Sequence, residues 1–300
     1  MEFFLLRVFL TVANEKSFSR AAEKLRRTQP AVSLAVQRLE NELNEKLIDR
    51  SAKDLLLTDA GRIVLDYARR SENLQSDLTN ALTELRDNSA GRLTIGANES
   101  TSLYLLQHIE SYRRLYPRVK IQVRRSLSSR IPTQLIDGDL ELGVISYDPQ
   151  DTNLVSTVIF TDHLAFVVPP GHRFAQHTSI SITELGLENF IAHNVVSPYR
   201  EIVLRNFRRY QVPLNMDVEM PTIETIKKMV QRNEGVAFLP RMCVEQEIAQ
   251  DTLREITVEE LHIERKIRLV HPVRRALSHA GRAFLELVTP TLDATAAEDD

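Results

Sequence analysis

The apolar positions of the first fifteen residues recur at helical spacing. Phe3, Leu6, Phe9 and Val12 in "MEFFLLRVFLTVAN" fall every three residues, which predicts a helix with one core-facing stripe. A short second helix is expected through Ala21, Ala22 and Leu25, capped by Ser17 or Ser19, with the paired alanines permitting close helix–helix approach. After a polar turn, Thr28 is placed to cap a third helix, with Pro30 in its first turn where a missing N–H costs nothing. In that helix Val32, Val36, Leu39 and Leu43 stand at i, i+4, i+7 and i+11 and form one buried stripe. On another face Gln29, Ser33 and Gln37 recur every four residues, with Pro30 and Leu34 beside them.

The pattern then shortens. In "EKLIDRSAKDLLLTDAG", Leu47 and Ile48 lead into a polar tip from Asp49 to Asp54, followed by Leu55 to Leu57, which suits a small β-hairpin or wing. From Thr58, an N-cap, a long helix is predicted to about Arg86. Val64, Tyr67, Ser71, Leu74, Leu78, Ala81 and Leu85 alternate at spacings of three and four, a heptad seam. A seam this apolar calls for a partner helix, so Val64, Tyr67, Leu74, Leu78, Ala81 and Leu85 are read as dimerisation positions. The alternative is packing onto their own domain.

Beyond Gly91 the chain alternates short runs rich in Val, Ile and Leu ("RLTIGA", "KIQVRR", "LELGVIS", "HLAFVVP", "NFIAH", "DVEMP", "GVAFLP", "KIRLVHP") with helical stretches. The helices are expected over Leu103 to Tyr116, Ile131 to Ile136, Tyr199 to Arg209, Ile223 to Arg232 and Met242 to Gln250. Strands alternating with helices predict an α/β sheet of mostly parallel strands. The tail "TLDATAAEDD", residues 291–300, is acidic and small-residue, and disorder is expected from 290 onward.

Composition adds two things. With 300 residues, 43% of them hydrophobic and 26% charged, the chain supports a substantial core and more than one domain. The net charge of −3 hides a local excess: Lys16, Arg20, Lys24, Arg26, Arg27 and Arg38 face a single anion, Glu23, between residues 16 and 38. A basic patch on an otherwise acidic chain is what a DNA-binding module on an unrelated body produces. On the polar face of the third helix a Gln amide bonds bidentately to adenine, a Ser hydroxyl serves either edge, and apolar atoms suit a thymine methyl. The competing interpretation is an amphipathic helix with a solvated polar side. At the wing tip, Arg50 and Lys53 are placed to touch phosphate or a minor groove, or else are loop charges kept for solubility.

At this point the residues resemble a known family. Phe9, Ser17-Phe18-Ser19-Arg20-Ala21-Ala22, Leu25, Gln29-Pro30-Ala31-Val32-Ser33, Leu39-Glu40, Leu43, Leu47, Arg50 and Leu57-Thr58-Asp59-Ala60-Gly61 look like the LysR-type transcriptional regulators, nearly without gaps over the first 65 or so residues. Departures are Lys16 and Asn44, where the family often has glycine, Ile48 where it has phenylalanine, and Leu34 where a polar base contact is frequent. The resemblance implies an N-terminal winged helix-turn-helix (residues 1–58), a linker helix (59–88) and an α/β two-lobed, periplasmic-binding-protein-like effector domain (91–289). Lobe I would take about 91–161 and 267–289, and lobe II about 162–266, with crossovers near Phe160–Asp162 and Arg265–Arg268. It further implies base reading by Gln29, Pro30, Ser33, Leu34 and Gln37, and backbone contacts from Ser17, Thr28, Arg38, Arg50 and Lys53. The partners implied are double-stranded DNA, a second copy of the chain as homodimer or homotetramer, RNA polymerase and a small-molecule effector between the lobes.

Ligands of such sheets bind beyond strand C-termini, at helix starts. Ser100, Thr101 and Ser102 in "GANESTSL", Ser128 and Ser129 after the second strand, Ser197 in "NVVSPYRE" and Thr222 in "EMPTIETI" stand at such junctions and are the candidate effector-binding residues. Each is otherwise simply a helix cap. Hydroxyls and free N–H groups suit a carboxylate or other small anion, although Glu99 and Glu224 would repel one unless turned away.

Other functions fare less well. There is no G-x-G-x-x-G, P-loop, H-E-x-x-H or G-x-S-x-G, and the eight histidines show no metal spacing, so no catalytic residue, metal or cofactor is expected. The single cysteine, Cys243, sits between Met242 and Val244 and reads as a buried thiol; a lone cysteine also fits a reducing compartment. Glu2 and Arg7 argue against a signal peptide, and no apolar run is long enough to span a membrane, so a cytoplasmic protein is expected. The rival reading is a cytoplasmic small-molecule-binding protein or enzyme with a structural N-terminal helical hairpin.

Overall fold

The computed structural model describes residues 2–49, 55–86, 90–195 and 197–289. Arg50 and Lys53, the end of the linker and the acidic tail lie outside the described residues. The chain divides into two compact units, Met1–Gly91 with Thr133–Leu140, and Arg92–Pro132 with Glu141–Asp300.

The first unit is built from α1 (Phe3–Glu15), α2 (Phe18–Leu25), α3 (Gln29–Leu43), the antiparallel pair β1 (Ile48–Asp49) and β2 (Leu56–Leu57), and α4 (Asp59–Arg86). Its core gathers Leu5, Phe9, Val12, Ala21, Val32, Val36, Leu39, Leu47 and Ala68. Phe3 does not join the predicted stripe and stands exposed, while Leu5, Val8 and Leu10 are buried, because three other elements surround α1. α1, α2 and α3 all end on non-glycine residues in the left-handed region, Lys16 (φ 48°), Arg26 (φ 53°) and Asn44 (φ 53°). Only Asn adopts that conformation readily, so the turns at Lys16 and Arg26 are held by their surroundings. Gly61, in the first turn of α4, is required by close approach: a Cβ there would lie 2.0 Å from the Leu47 carbonyl oxygen.

After α4 the chain runs through β3 (Ala90–Ala97), α5 (Glu99–Leu115), β4 (Arg118–Arg125), α6 (Ile131–Ile136), whose residues from Thr133 count with the first unit, and β5 (Leu142–Ile145) into a long strand, β6 (Leu154–Val168). Then come β7 (Ser179–Ile180), β8 (Asn189–His193), α7 (Pro198–Arg209), β9 (Asn215–Met220), α8 (Ile223–Gln231), β10 (Ala237–Pro240), α9 (Glu245–Ala249) and β11 (Arg254–Val258). β12 (Glu264–Pro272) and α10 (His279–Val288) complete the fold. The main sheet runs β4-β3-β5-β12-β6-β11-β7, with β10 also on β6, and β8 pairs β9 separately. One core, around Leu93, Ile95, Leu105, Tyr112, Leu269 and Phe284, belongs to lobe I. Two others, around Phe166, Phe190, Phe207 and Ile256 and around Ile191, Ile226, Leu239 and Val244, belong to lobe II.

The expectation of mostly parallel strands is corrected to a mixed sheet. β3 and β5 are parallel, but β12 runs antiparallel to both β5 and β6, and β10 and β11 run antiparallel to β6. The cause is the crossovers, since two long strands carry the chain into lobe II and back, side by side in opposite directions. The helix predicted over Met242 to Gln250 is also two pieces, a 3-10 turn at Arg241–Cys243 and then α9.

Candidate nucleic-acid interface and ligand cleft

α2 and α3 are joined by three residues, and α3 buries Val32, Ala35, Val36 and Leu39 against α1 and α2. This leaves Gln29, Pro30, Leu34, Gln37 and Arg38 exposed together on its outer side, with Ser33 half-buried between them. Leu34 is 60% exposed, an apolar side chain with no core to join. Ser17 caps α2, its hydroxyl accepting from the Arg20 N–H at 3.3 Å. Thr28 occupies the N-cap position of α3 but makes no side-chain cap bond, which corrects the capping expectation and leaves N–H groups at the start of α3 uncapped. Arg38 donates to the Glu2 carboxylate at 3.3 Å, an exposed pair worth little. Glu40, on the inward side of α3, accepts from the Leu47 N–H at 2.9 Å and the Ile48 N–H at 3.4 Å, locking the helix to the first wing strand.

On α4 the apolar positions separate into two sets. Val64 packs against the core of its own unit together with Ala60, Leu65 and Ala68, so its assignment to the seam is corrected. Farther along, Leu74, Leu78 and Leu85 are 69%, 61% and 80% exposed, and Tyr67, Ala81 and Leu82 are exposed too.

In the second unit α5 starts from Asn98, not from a serine. The Asn98 side chain accepts from the Thr101 N–H at 2.9 Å and donates to Ser128 Oγ at 2.8 Å. Thr101, fully buried, donates to the Val144 carbonyl at 3.1 Å, and Ser102 donates to the Asn98 carbonyl at 2.6 Å. Ser197 caps α7 through the Arg200 N–H, and Thr222 caps α8 through the Thr225 N–H, both at 3.2 Å. Ser129 is exposed. The hydroxyls therefore mostly hold the elements that frame the cleft.

The charged groups at the crossovers were not foreseen as a site. Arg265 on β12 and Asp162 on β6 are opposite each other in the ladder, their side chains 3% and 2% exposed, with Arg265 Nη1 donating to Asp162 Oδ2 at 2.6 Å. Burial pushes the Asp162 carboxyl up, against the opposing pull of Arg265 and of the Met242 N–H. Arg265 Nη2 donates to Ser100 Oγ at 3.2 Å, and the Tyr199 ring lies 5.0 Å from the guanidinium carbon. The Tyr199 hydroxyl donates to the Ser146 carbonyl, a link between the lobes. Arg265 Nε is buried with no acceptor among the described residues. Cys243 nearby is buried and its thiol is pushed up to about 12 by desolvation, so it stays protonated and unreactive.

Glu99 is turned into the cleft. Its Oε1 accepts from the Ile223 N–H at 2.9 Å and its Oε2 stands 3.4 Å from His193 Nε2. Because His193 Nδ1 accepts from the Val195 N–H at 3.0 Å, a neutral ring carries its proton on Nε2 and donates it to Glu99. Among the described residues no His, Cys, Asp and Glu cluster suits a metal ion, and no helix is long and apolar enough to cross a membrane.

Comparisons with known proteins agree with both halves. The profile described as "Bacterial regulatory helix-turn-helix protein, lysR family" matches residues 3–62, and "LysR substrate binding domain" matches residues 86–293. A probable RuBisCO transcriptional regulator of Cyanophora paradoxa is 33% identical over 288 residues, covering 94% of this chain and 89% of its own. One from Synechocystis sp. is 31% identical over 292 residues, covering 95% and 85%. Among solved structures, full-length CbnR complexed with its target DNA superposes with a TM-score of 0.74 at 16% identity, covering 96% of this chain and 99% of that one. The regulatory domain of Synechocystis PCC6803 CcmR, in complex with 2-PG, gives 0.62 at 20% identity, covering 68% and 98%.

Proposed function

This chain belongs to the LysR family of transcriptional regulators, and from that premise we propose how its own residues divide the work of reading DNA and sensing a metabolite. It is a regulator and not an enzyme, with a helix-turn-helix DNA-binding region and a two-lobed α/β effector domain. The observation that carries the detailed reading is the outward face of α3, where polar and apolar side chains stand exposed on a helix rigidly backed by core.

On this reading Gln29, Pro30, Ser33, Leu34 and Gln37 read base edges in a major groove, with Leu34 suited to a thymine methyl. Thr28, its hydroxyl not engaged in capping, the uncapped start of α3, and Arg38 hold phosphates. Arg50 and Lys53 at the wing extend the grip, and Ser17 contributes by fixing the start of α2. Tyr67, Leu74, Leu78, Ala81 and Leu85 pair α4 with a second copy, and a dimer or tetramer reads a pseudo-palindromic operator. RNA polymerase is the partner such a regulator acts on, in the cytoplasm. The relatives and the CcmR complex favour genes of carbon fixation as targets and a small phosphorylated or carboxylic acid as effector.

The test is mobility shift of the purified protein on DNA upstream of its own gene and on RuBisCO operator DNA, across a salt series with competitor. A specific complex is expected, and Gln37→Ala is expected to lose about 1–3 kcal/mol at particular base pairs only. Uniform weakening on every sequence would remove Gln37 from base reading. No enriched site after random-sequence selection would return α2 and α3 to a purely structural role.

A further inference from the structure

An acidic effector entering the cleft at the start of α8 meets a carboxylate already seated there. The Glu99 side chain, on the first residue of α5 in lobe I, crosses to lobe II and takes the Ile223 N–H at 2.9 Å. Ile223 is the first residue of α8, so this N–H is one of those a helix leaves without an internal partner, at the positive end of its dipole. The second oxygen faces His193 Nε2 at the longer distance of 3.4 Å. The Glu99 side chain remains 27% exposed, so the seat opens to solvent and is not sealed. The next residue, Ser100, accepts from Arg265, a 3% exposed side chain whose Nε has no acceptor among the described residues. The subsite thus holds a carboxylate from the chain itself, and the residue after that acid is tied to the buried Arg265–Asp162 pair at the crossover.

We propose that Glu99 is the resident occupant of the acid subsite, a tethered carboxylate that an anionic effector must displace. It rests on the reading of the cleft as a small-acid site and adds the residue that sets its affinity. Binding is then an exchange of one acid for another at the Ile223 N–H, and the exchange unties the contact between the lobes. A group tethered this close competes at an effective concentration of roughly millimolar or above. An effector must therefore outbid it with a second charge or with further donors, which favours diacids and phosphorylated acids over monocarboxylates. Glu224, the other acid near α8, is held away by Lys227 at 2.9 Å and does not compete.

The experiment is calorimetric titration of the full-length protein with 2-PG and, separately, with inorganic phosphate, for wild type, Glu99→Gln and Ile223→Pro. Glu99→Gln keeps the side-chain shape and removes the charge, and is expected to bind at least one probe roughly tenfold more tightly than wild type. Ile223→Pro deletes the N–H and trims a buried apolar side chain, while the backbone accepts it: proline suits the first helical position, and Thr222 before it is already extended (φ −141°, ψ 150°). Its binding is expected to be lost. Equal or weaker binding by Glu99→Gln overturns the proposal while leaving the small-acid reading standing if wild type binds. Wild-type affinity in Ile223→Pro also overturns it, because the acid is then held elsewhere. If neither wild type nor Glu99→Gln takes either probe, both the proposal and the small-acid reading fail. Melting curves establish that each variant is folded; Glu99→Asp, one methylene shorter, replaces Glu99→Gln if that variant is not, and the Glu99 variants alone decide the outcome if Ile223→Pro is not. The same tightening is expected of Glu99→Asp.

Discussion

Glu40 shows how one side chain makes α3, the helix proposed to read DNA, rigid. It is 2% exposed, and its carboxylate takes the N–H groups of Leu47 and Ile48, which would otherwise be buried without acceptors. Glu40→Ala is expected to destabilise the N-terminal unit by about 2–3 kcal/mol, with Glu40→Gln losing less because one oxygen acceptor remains. Urea unfolding followed by circular dichroism measures it, and a cost near zero would show that the carboxylate holds nothing. At this scale the sequence was only half legible. Gln29, Ser33 and Gln37 fell on the outer face because helical periodicity dictates it. The cleft hydroxyls were located correctly at helix starts, yet Ser197 and Thr222 spend their oxygens on caps. What the sequence hid was pairing across distance: Glu99 with Ile223, 124 residues apart, and Arg265 with Asp162, 103 apart, leave no periodic trace.

Among the elements, α4 was the most legible in extent and the least in use. Its heptads predicted one apolar seam, but the first turns turn inward to the core of their own unit at Val64 and Ala68. Between Tyr67 and Leu85, Tyr67, Leu74, Leu78, Leu82 and Leu85 are left exposed, a row of large apolar side chains that water solvates poorly, and Ile63 in the earlier turns is exposed as well. Leu78→Asp is expected to shift the protein to a lower oligomeric state in analytical ultracentrifugation and to weaken operator binding through lost avidity. Unchanged sedimentation would assign assembly to another surface. β6 was legible only in its second half. The run "HLAFVVP" marks it only from His163 onward, with a crossover set near Phe160–Asp162, whereas the strand runs on through these residues because Arg265 stands opposite to neutralise the acid.

For the effector domain as a whole, the crossover pair concentrates electrostatic stress. Asp162 is pushed up by burial and drawn back by Arg265. Arg265→Met removes the counter-pull, so an ionised Asp162 would be buried alone, at a cost of about 3–5 kcal/mol near neutral pH. The sign follows from a folded-state carboxyl raised above its unfolded value. Its stabilisation is present below the unfolded value and lost as pH rises through the folded one. The variant's melting temperature is therefore expected to fall relative to wild type as pH rises from about 5 to 8, and the second change Asp162→Asn is expected to flatten that dependence. A gap that does not vary with pH would mean that Asp162 stays ionised in the variant or is not what Arg265 supports.

Because Asp162 and Arg265 are rungs of the same ladder, lobe II leaves and rejoins lobe I at neighbouring backbone positions. In topological terms it is a single insertion in a β-ribbon, and its two ends meet. Such a segment can be exchanged between genes as one block, cut at one rung, without rethreading lobe I or touching the helices that face DNA. Half of the ligand pocket is thereby free to be inherited separately from the operator it controls.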